Sequence, residues 1–224
     1  MYPLDEIFDF EINEKGAFAI RDKWARDRGY LFFPRIASAK TPEEKNEIIS
    51  EAKKDQGELF RPLYSRKLNS CINYRYRKKG FEIYYVLLKD EQLSSVMMRK
   101  PQDKIVYVGM DAQTHRTKVN GKYPYPNSDF ILNQILPADR MVVAGFHSAD
   151  CVEKIARRAY NRGVDVLVDE DLTEHFGWRL TDRDFRVKRY PTYNPRKGTE
   201  NREFYFELFM KARKDKPWLW QDYK

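Results

Sequence analysis

The chain has 224 residues, 42% hydrophobic and 15% aromatic, with a formal net charge of +8 and a pI near 9.3. This composition excludes a disordered chain and is enough to bury the core of one domain, or of one domain with an appendage. No apolar run approaches the roughly 18 residues of a membrane span and no secretory pattern is present, so a soluble, cytoplasmic protein without a membrane partner is expected.

Residues 1–40 are aromatic and charged without strong periodicity, with room for two short strands, Ala17 to Ile20 and Tyr30 to Phe33. Thr41-Pro42-Glu43-Glu44 is a helix start: threonine as N-cap, proline at the first helical position, glutamate three residues on. That helix carries Ile48 and Ile49 and is expected to stop near Gly57. A second helix is predicted from about Tyr64 to Lys79, ending at Gly80, with Cys71 packed between Leu68 and Ile72. A strand from Phe81 to Leu88 follows, then a polar connection through Pro101, a strand from Ile105 to Val108 and a long polar loop, Asp111 to Asn127. Helix Ser128 to Leu136, strand Met141 to Ala144, a helix opening at Cys151 and strand Val164 to Val168 complete an alternating run. Such alternation predicts an α/β fold, three-layer αβα with a mainly parallel central sheet, and ligands bound beyond the C-terminal ends of the strands.

The stretch from Arg140 to Phe176 carries the chemistry. An apolar run reaches Gly145 and a short turn, and Cys151 then stands where a helix begins. Val152, Ile155, Ala156, Ala159 and Tyr160 form one apolar stripe, Ser148 and Asp150 are capping-type residues, and Gly163 is a natural stop. A helix N-terminus favours the thiolate of such a cysteine. Asp150 opposes it by like-charge repulsion, so a working nucleophile demands a lysine or arginine from elsewhere in the chain. The two cysteines do not make a disulfide framework.

The positive charge is spread over several clusters, one of them Arg75 to Lys79 interleaved with Tyr74, Tyr76, Phe81, Tyr84 and Tyr85. Lys79-Gly80-Phe81 faintly matches an RNA-recognition signature, but Glu82 would set a carboxylate in the stacking platform, and a solvated basic face over core aromatics is the expected reading. His115, His147 and His175 are far apart, and Asp111 and His115, though four residues apart, fall in a predicted loop. No metal site, cofactor or glycine-rich nucleotide loop is expected. After Phe176 the chain changes character, and residues 181–224, with Phe204, Phe206, Phe209, Trp218 and Trp220, read as an extension packing on the core or at an oligomer interface.

The segment Gly145-Phe146-His147-Ser148-Ala149-Asp150-Cys151-Val152, with its helix, Gly163 and following strand, resembles the nucleophile motif of the isochorismatase-like cysteine hydrolases, the superfamily of nicotinamidases, N-carbamoylsarcosine amidases and isochorismatases. The resemblance covers roughly Ser65 to Phe176, and Tyr125 to Leu132 is similar to the helix that follows the family's catalytic lysine. It implies a hydrolase domain over 1–180, divergent in 1–64, and a Cys-Lys-Asp triad of Cys151, Lys122 (or Lys118) and an acid in the first strand. Asp22 is the acid favoured and Asp9 the other candidate, although neither sits in the family's apolar-Asp-x-Gln run. The backbone N–H groups of His147 and Cys151 would form the oxyanion hole, after a peptide that is often cis. The zinc site of nicotinamidases has no counterpart, since only one histidine precedes Lys122. The expected activity is hydrolysis of a small amide-like molecule by a homo-oligomer, the basic surface favouring an anionic substrate. The alternative, drawn from the missing acid signature and the excess positive charge, is a catalytically degenerate hydrolase fold that binds nucleic acid or an anionic partner.

Overall fold

The computed structural model describes residues 11–12, 18–19, 33–145, 148–173, 176–180, 183, 185–189, 211 and 213–219. Helices and parallel strands alternate along it, giving an α/β protein. A two-residue antiparallel pair, β1 (Glu11–Ile12) with β2 (Phe18–Ala19), lies at the N-terminal end. Tyr30 to Phe32 fall outside the described residues, and Phe33, expected to close a strand, instead opens helix α1 (Phe33–Ser38).

Helix α2 (Pro42–Lys54) starts as its sequence requires: the Thr41 hydroxyl accepts from the Glu44 N–H at 3.2 Å, and the Glu44 carboxylate accepts from the Lys40 N–H at 2.8 Å. It does not stop at Gly57. The chain continues through a π-helical turn (Asp55–Phe60) into α3 (Arg61–Cys71), a second π turn (Ile72–Tyr76) and a 3₁₀ turn (Arg77–Lys79). Gly80, at φ +84°, ends this run in the left-handed conformation that glycine adopts without a Cβ penalty.

Strand β3 (Tyr84–Leu87) pairs in parallel with β4 (Lys104–Tyr107). The expected loop after β4 contains a short helix, α4 (Ala112–Arg116), capped by Asp111, whose carboxylate accepts from the Thr114 N–H at 2.6 Å. Helix α5 (Ser128–Asn133), capped by Asn127, leads to β5 (Arg140–Gly145). A π turn (Ser148–Val152) runs into α6 (Glu153–Asn161), then β6 (Asp165–Thr173) and α7 (Phe176–Arg179). Strands β5 and β6 form the second parallel pair. Among the described residues the two parallel pairs share no hydrogen-bonded ladder.

Strand alternation sends the side chains of β5 to two apolar clusters. Met141 and Val143 pack with Leu132, Ala156, Ala159, Val166 and Val168, while Val142 packs with Tyr64, Leu68, Ile72, Leu172 and Phe176. Trp218 is buried in the first cluster, and its carbonyl accepts from the Val168 N–H at 2.8 Å, so the chain around Trp218 lies along the outer edge of β6.

The second cluster encloses an ionic group that the sequence reading placed on a solvated face. Arg75 is fully buried, and its guanidinium donates to both oxygens of Asp169 and to Asp171, each at 2.9 Å, and to the carbonyls of Arg186 and Val187. Tyr76 donates to Asp169, and Arg179 to Asp171 at 3.0 Å. Arg77 is partly buried and pairs with the buried Asp103. Both aspartates of the Arg75 group stand on one face of β6, since residues two apart on a strand point the same way. Removing one partner of such a pair leaves an uncompensated buried charge. The Asp169→Ala variant is therefore expected to lose about 3–5 kcal/mol of stability, read as a lowered urea midpoint, whereas cutting the solvent-exposed Arg35–Glu51 pair should leave the midpoint nearly unchanged.

Candidate active site

Strand β5 ends at Gly145, whose φ of +132° is open to glycine and strained for other residues. A Cβ there would stand 3.8 Å from the Val152 side chain, so conformation and not space selects the glycine. Phe146 and His147 lie outside the described residues, as do Asp22 and Asp9. The oxyanion hole and the acid expected from these positions are thus not located. The chain re-enters regular structure in the π turn that carries Asp150 and Cys151, a wider turn than an α-helix provides and one that recurs at functional sites.

Cys151 is partly buried at the wall of a cavity of about 700 Å³. Beside it, Asp150 is held on both oxygens: Lys154 reaches Oδ1 at 2.7 Å, and the Tyr125 hydroxyl donates to Oδ2 at 2.6 Å. The Lys154 ammonium also lies 3.0 Å from the centroid of the Tyr125 ring. Tyr125 rests edge-on against His115, whose Nδ1 donates to the Pro124 carbonyl at 2.8 Å. His115 and Asp111 thereby have structural duties, one steadying the tyrosine and the other capping α4. Among the described residues, no group of three or more histidine, cysteine, aspartate or glutamate side chains is arranged to hold a metal ion.

The cation that Asp150 demands comes from its own helix, four residues on, and not from a distant loop. The two lysines favoured from sequence stand elsewhere. Val119 and Lys122 pair through backbone bonds of 2.8 and 3.1 Å across a tight turn, with Asn120 and Gly121 at positive φ. Lys122 is exposed there, and among the described residues no hydrogen bond joins it to Cys151. Lys118 is exposed too, its ammonium over the Tyr123 ring at 5.2 Å. Neither lysine lines the cavity, whereas Cys151, Lys154 and Tyr125 all do. The i, i+4 spacing of Asp150 and Lys154 was the available signal for this pair. Nothing in the sequence pointed to Tyr125.

Electrostatics modify the picture of a poised thiolate. Burial pushes the Cys151 thiol up from its ordinary range, the Asp150 charge adds to the rise, and Lys154 opposes it. Removal from water outweighs the opposing positive charge. The hydrogen bond to Asp150 pushes the Tyr125 phenol up to about 12, so it remains a donor at neutral pH.

Of the aromatic residues interleaved with the Arg75 to Lys79 cluster, Tyr76 and Tyr85 are buried and Tyr74 is exposed, and Glu82 pairs with Lys104 at 2.9 Å. Compared with known proteins, the chain matches no family model, no curated protein and no solved structure.

Because the Cys151 thiol is held up, its alkylation by iodoacetamide should be slow at pH 7 and rise at a pH above that of a free thiol. Asp150→Asn should move this profile to lower pH and Lys154→Met to higher pH, as followed by mass spectrometry of the labelled peptide. The fully buried Cys71, pushed up to about 12 chiefly by burial, is the unreactive internal reference.

Proposed function

We propose that the protein is a cysteine hydrolase of the isochorismatase-like kind, acting on the C–N bond of an amide. In this reading the β3–β4 and β5–β6 pairs belong to one parallel layer between helices, in a three-layer αβα arrangement. The supporting observation is the placement of Cys151: just beyond the C-terminal end of a parallel strand, on the wall of a cavity, and next to an ion pair. Lys154 takes the role that the resemblance assigns to Lys122, and Asp150 is the carboxylate at hand.

The reaction follows from the groups present. Asp150 accepts the thiol proton as Sγ attacks the carbonyl carbon, and the Lys154 ammonium stabilises the negative charge that forms. The tetrahedral intermediate collapses with cleavage of the C–N bond, and the proton passes to the departing nitrogen, so an amine or ammonia leaves and a thioester remains on Cys151. Water then adds to the thioester carbonyl, giving the carboxylic acid and regenerating the thiol.

Amine release from a panel of carboxamides and N-acyl amides tests the proposal. Cys151→Ala should abolish turnover, and Lys154→Met should lower it on the order of 10²-fold, the scale for losing one charge-stabilising group. Turnover unaffected by Cys151→Ala would overturn the reading. Lys122→Met decides which lysine acts: a wild-type rate supports Lys154, and a comparable loss returns the role to the turn lysine.

A further inference from the structure

The cavity beside Cys151 has an unusual wall. Residues 79–88 and 137–145 line it without a gap, so side chains that point to opposite faces of each strand all border the same space. A cavity over the face of a sheet would meet every second residue. One that meets every residue lies at the strand edge.

Backbone directions agree. The carbonyls of Ile83 and Leu87 accept from the N–H groups of Lys104 and Val108, each at 2.9 Å, so the odd-numbered residues of β3 face β4. The N–H and C=O groups of Tyr84 and Val86 therefore face the other way. On the second pair, Val168 donates outward to Trp218, which leaves Leu167 facing β5. With Val142 opposite Leu167, residues 141 and 143 bond to β6, and the backbone groups of Val142 and Ala144 face away from it. Two strand edges thus border one cavity that contains Cys151, and Leu88 and Ile131 add apolar surface.

Any ligand that displaces water from this slot has to replace the hydrogen bonds water made to both edges, since a buried amide left unpaired loses its solvation without compensation. An apolar or compact ligand cannot do this along an extended path. A peptide backbone can, because its donors and acceptors alternate at the strand repeat. Resting on the proposed hydrolase reading, we infer that the substrate is an extended, peptide-like amide with apolar side chains, laid between β3 and β5 with its scissile carbonyl at Cys151.

The experiment uses the full chain carrying Cys151→Ala, so that binding is read without turnover, with N-acetyl-trileucine amide as probe. Amide hydrogen exchange at Tyr84, Val86, Val142 and Ala144 should be fast in the free protein and slow at saturating peptide. A peptide N-methylated on alternate nitrogens, with the same side chains but fewer donors, should bind about tenfold more weakly for each bond lost. In the wild-type protein the parent peptide should protect Cys151 from iodoacetamide. Slow exchange at these four amides in the free protein would mean that the chain's own backbone already fills the slot, and would overturn the inference. So would equal binding of the N-methylated peptide, or no change in exchange with peptide present. Binding to the alanine variant without turnover by the wild type would sink the hydrolase reading alone, and turnover of simple carboxamides without peptide binding would sink the peptide inference alone.

Discussion

The position of the candidate site depends on a buried ionic cluster more than on any apolar contact. Arg75 comes from the helical run that begins at α3, Asp169 and Asp171 from β6, and the carbonyls of residues 186 and 187 from the segment after α7. Taking a guanidinium and two carboxylates out of water costs several kcal/mol per ion, and only near-complete hydrogen bonding offsets it. That requirement makes the arrangement intolerant of displacement: a shift of β6 along its axis would break bonds to both aspartates together. β6 is in register with β5 from Arg140 to Val143, and β5 delivers Gly145 to the turn that carries Cys151. The cluster is thus a structural anchor for the turn that carries Cys151, without touching it.

Two parallel strand pairs, whose β3 and β5 edges border one cavity, set the second constraint. An open edge in a protein interior presents unpaired N–H and C=O groups, which natural proteins cover, charge or pair. Neither edge carries a protective charge at its centre, where Tyr84, Val86, Val142 and Ala144 stand. Charged residues occur only at the ends, with Glu82 tied to Lys104 and Arg140 tied to Asp165. The middle of the slot is left suited to a backbone, and its ends are closed to a further sheet.

Much of the element order was legible because it rests on local rules. The Thr41 cap, the apolar stripe of α6 and the glycine stops at Gly80 and Gly163 depend on neighbours within one turn. The failures share a cause: each involves partners far apart in sequence or charges whose burial cannot be read from type. Arg75 lies in a basic run that looks like a solvated face, and its partners are more than ninety residues away. The only local hint was two aspartates on one face of a strand whose preceding residues are apolar. Gly57 looked like a helix stop, yet the chain passes it in a π turn, since flanking residues such as Ala52 and Phe60 are buried in clusters that hold the run together. At the site, Lys122 was favoured through a resemblance to a motif with different spacing, while Lys154 stood at the spacing at which helical side chains meet.

The held-up thiol of Cys151 and its proposed role as nucleophile are compatible because they describe different states. In the free protein, partial burial and the adjacent Asp150 charge favour the neutral thiol. Lys154 is shared between the carboxylate and the Tyr125 ring, so its field at the sulfur is partly spent on other partners. Proton transfer from the thiol to Asp150 would change both terms together: the carboxylate loses its charge, the ion pair with Lys154 loosens, and the ammonium becomes the counter-ion of the new thiolate. Thiolate formation is then a redistribution of one negative charge around the Lys154 ammonium, which costs less than creating a separate charge pair. On that argument the ion pair beside Cys151 would let a partly buried thiol ionise during the proposed attack, with Asp150, whose charge disfavours the thiolate in the free protein, taking up and returning the proton.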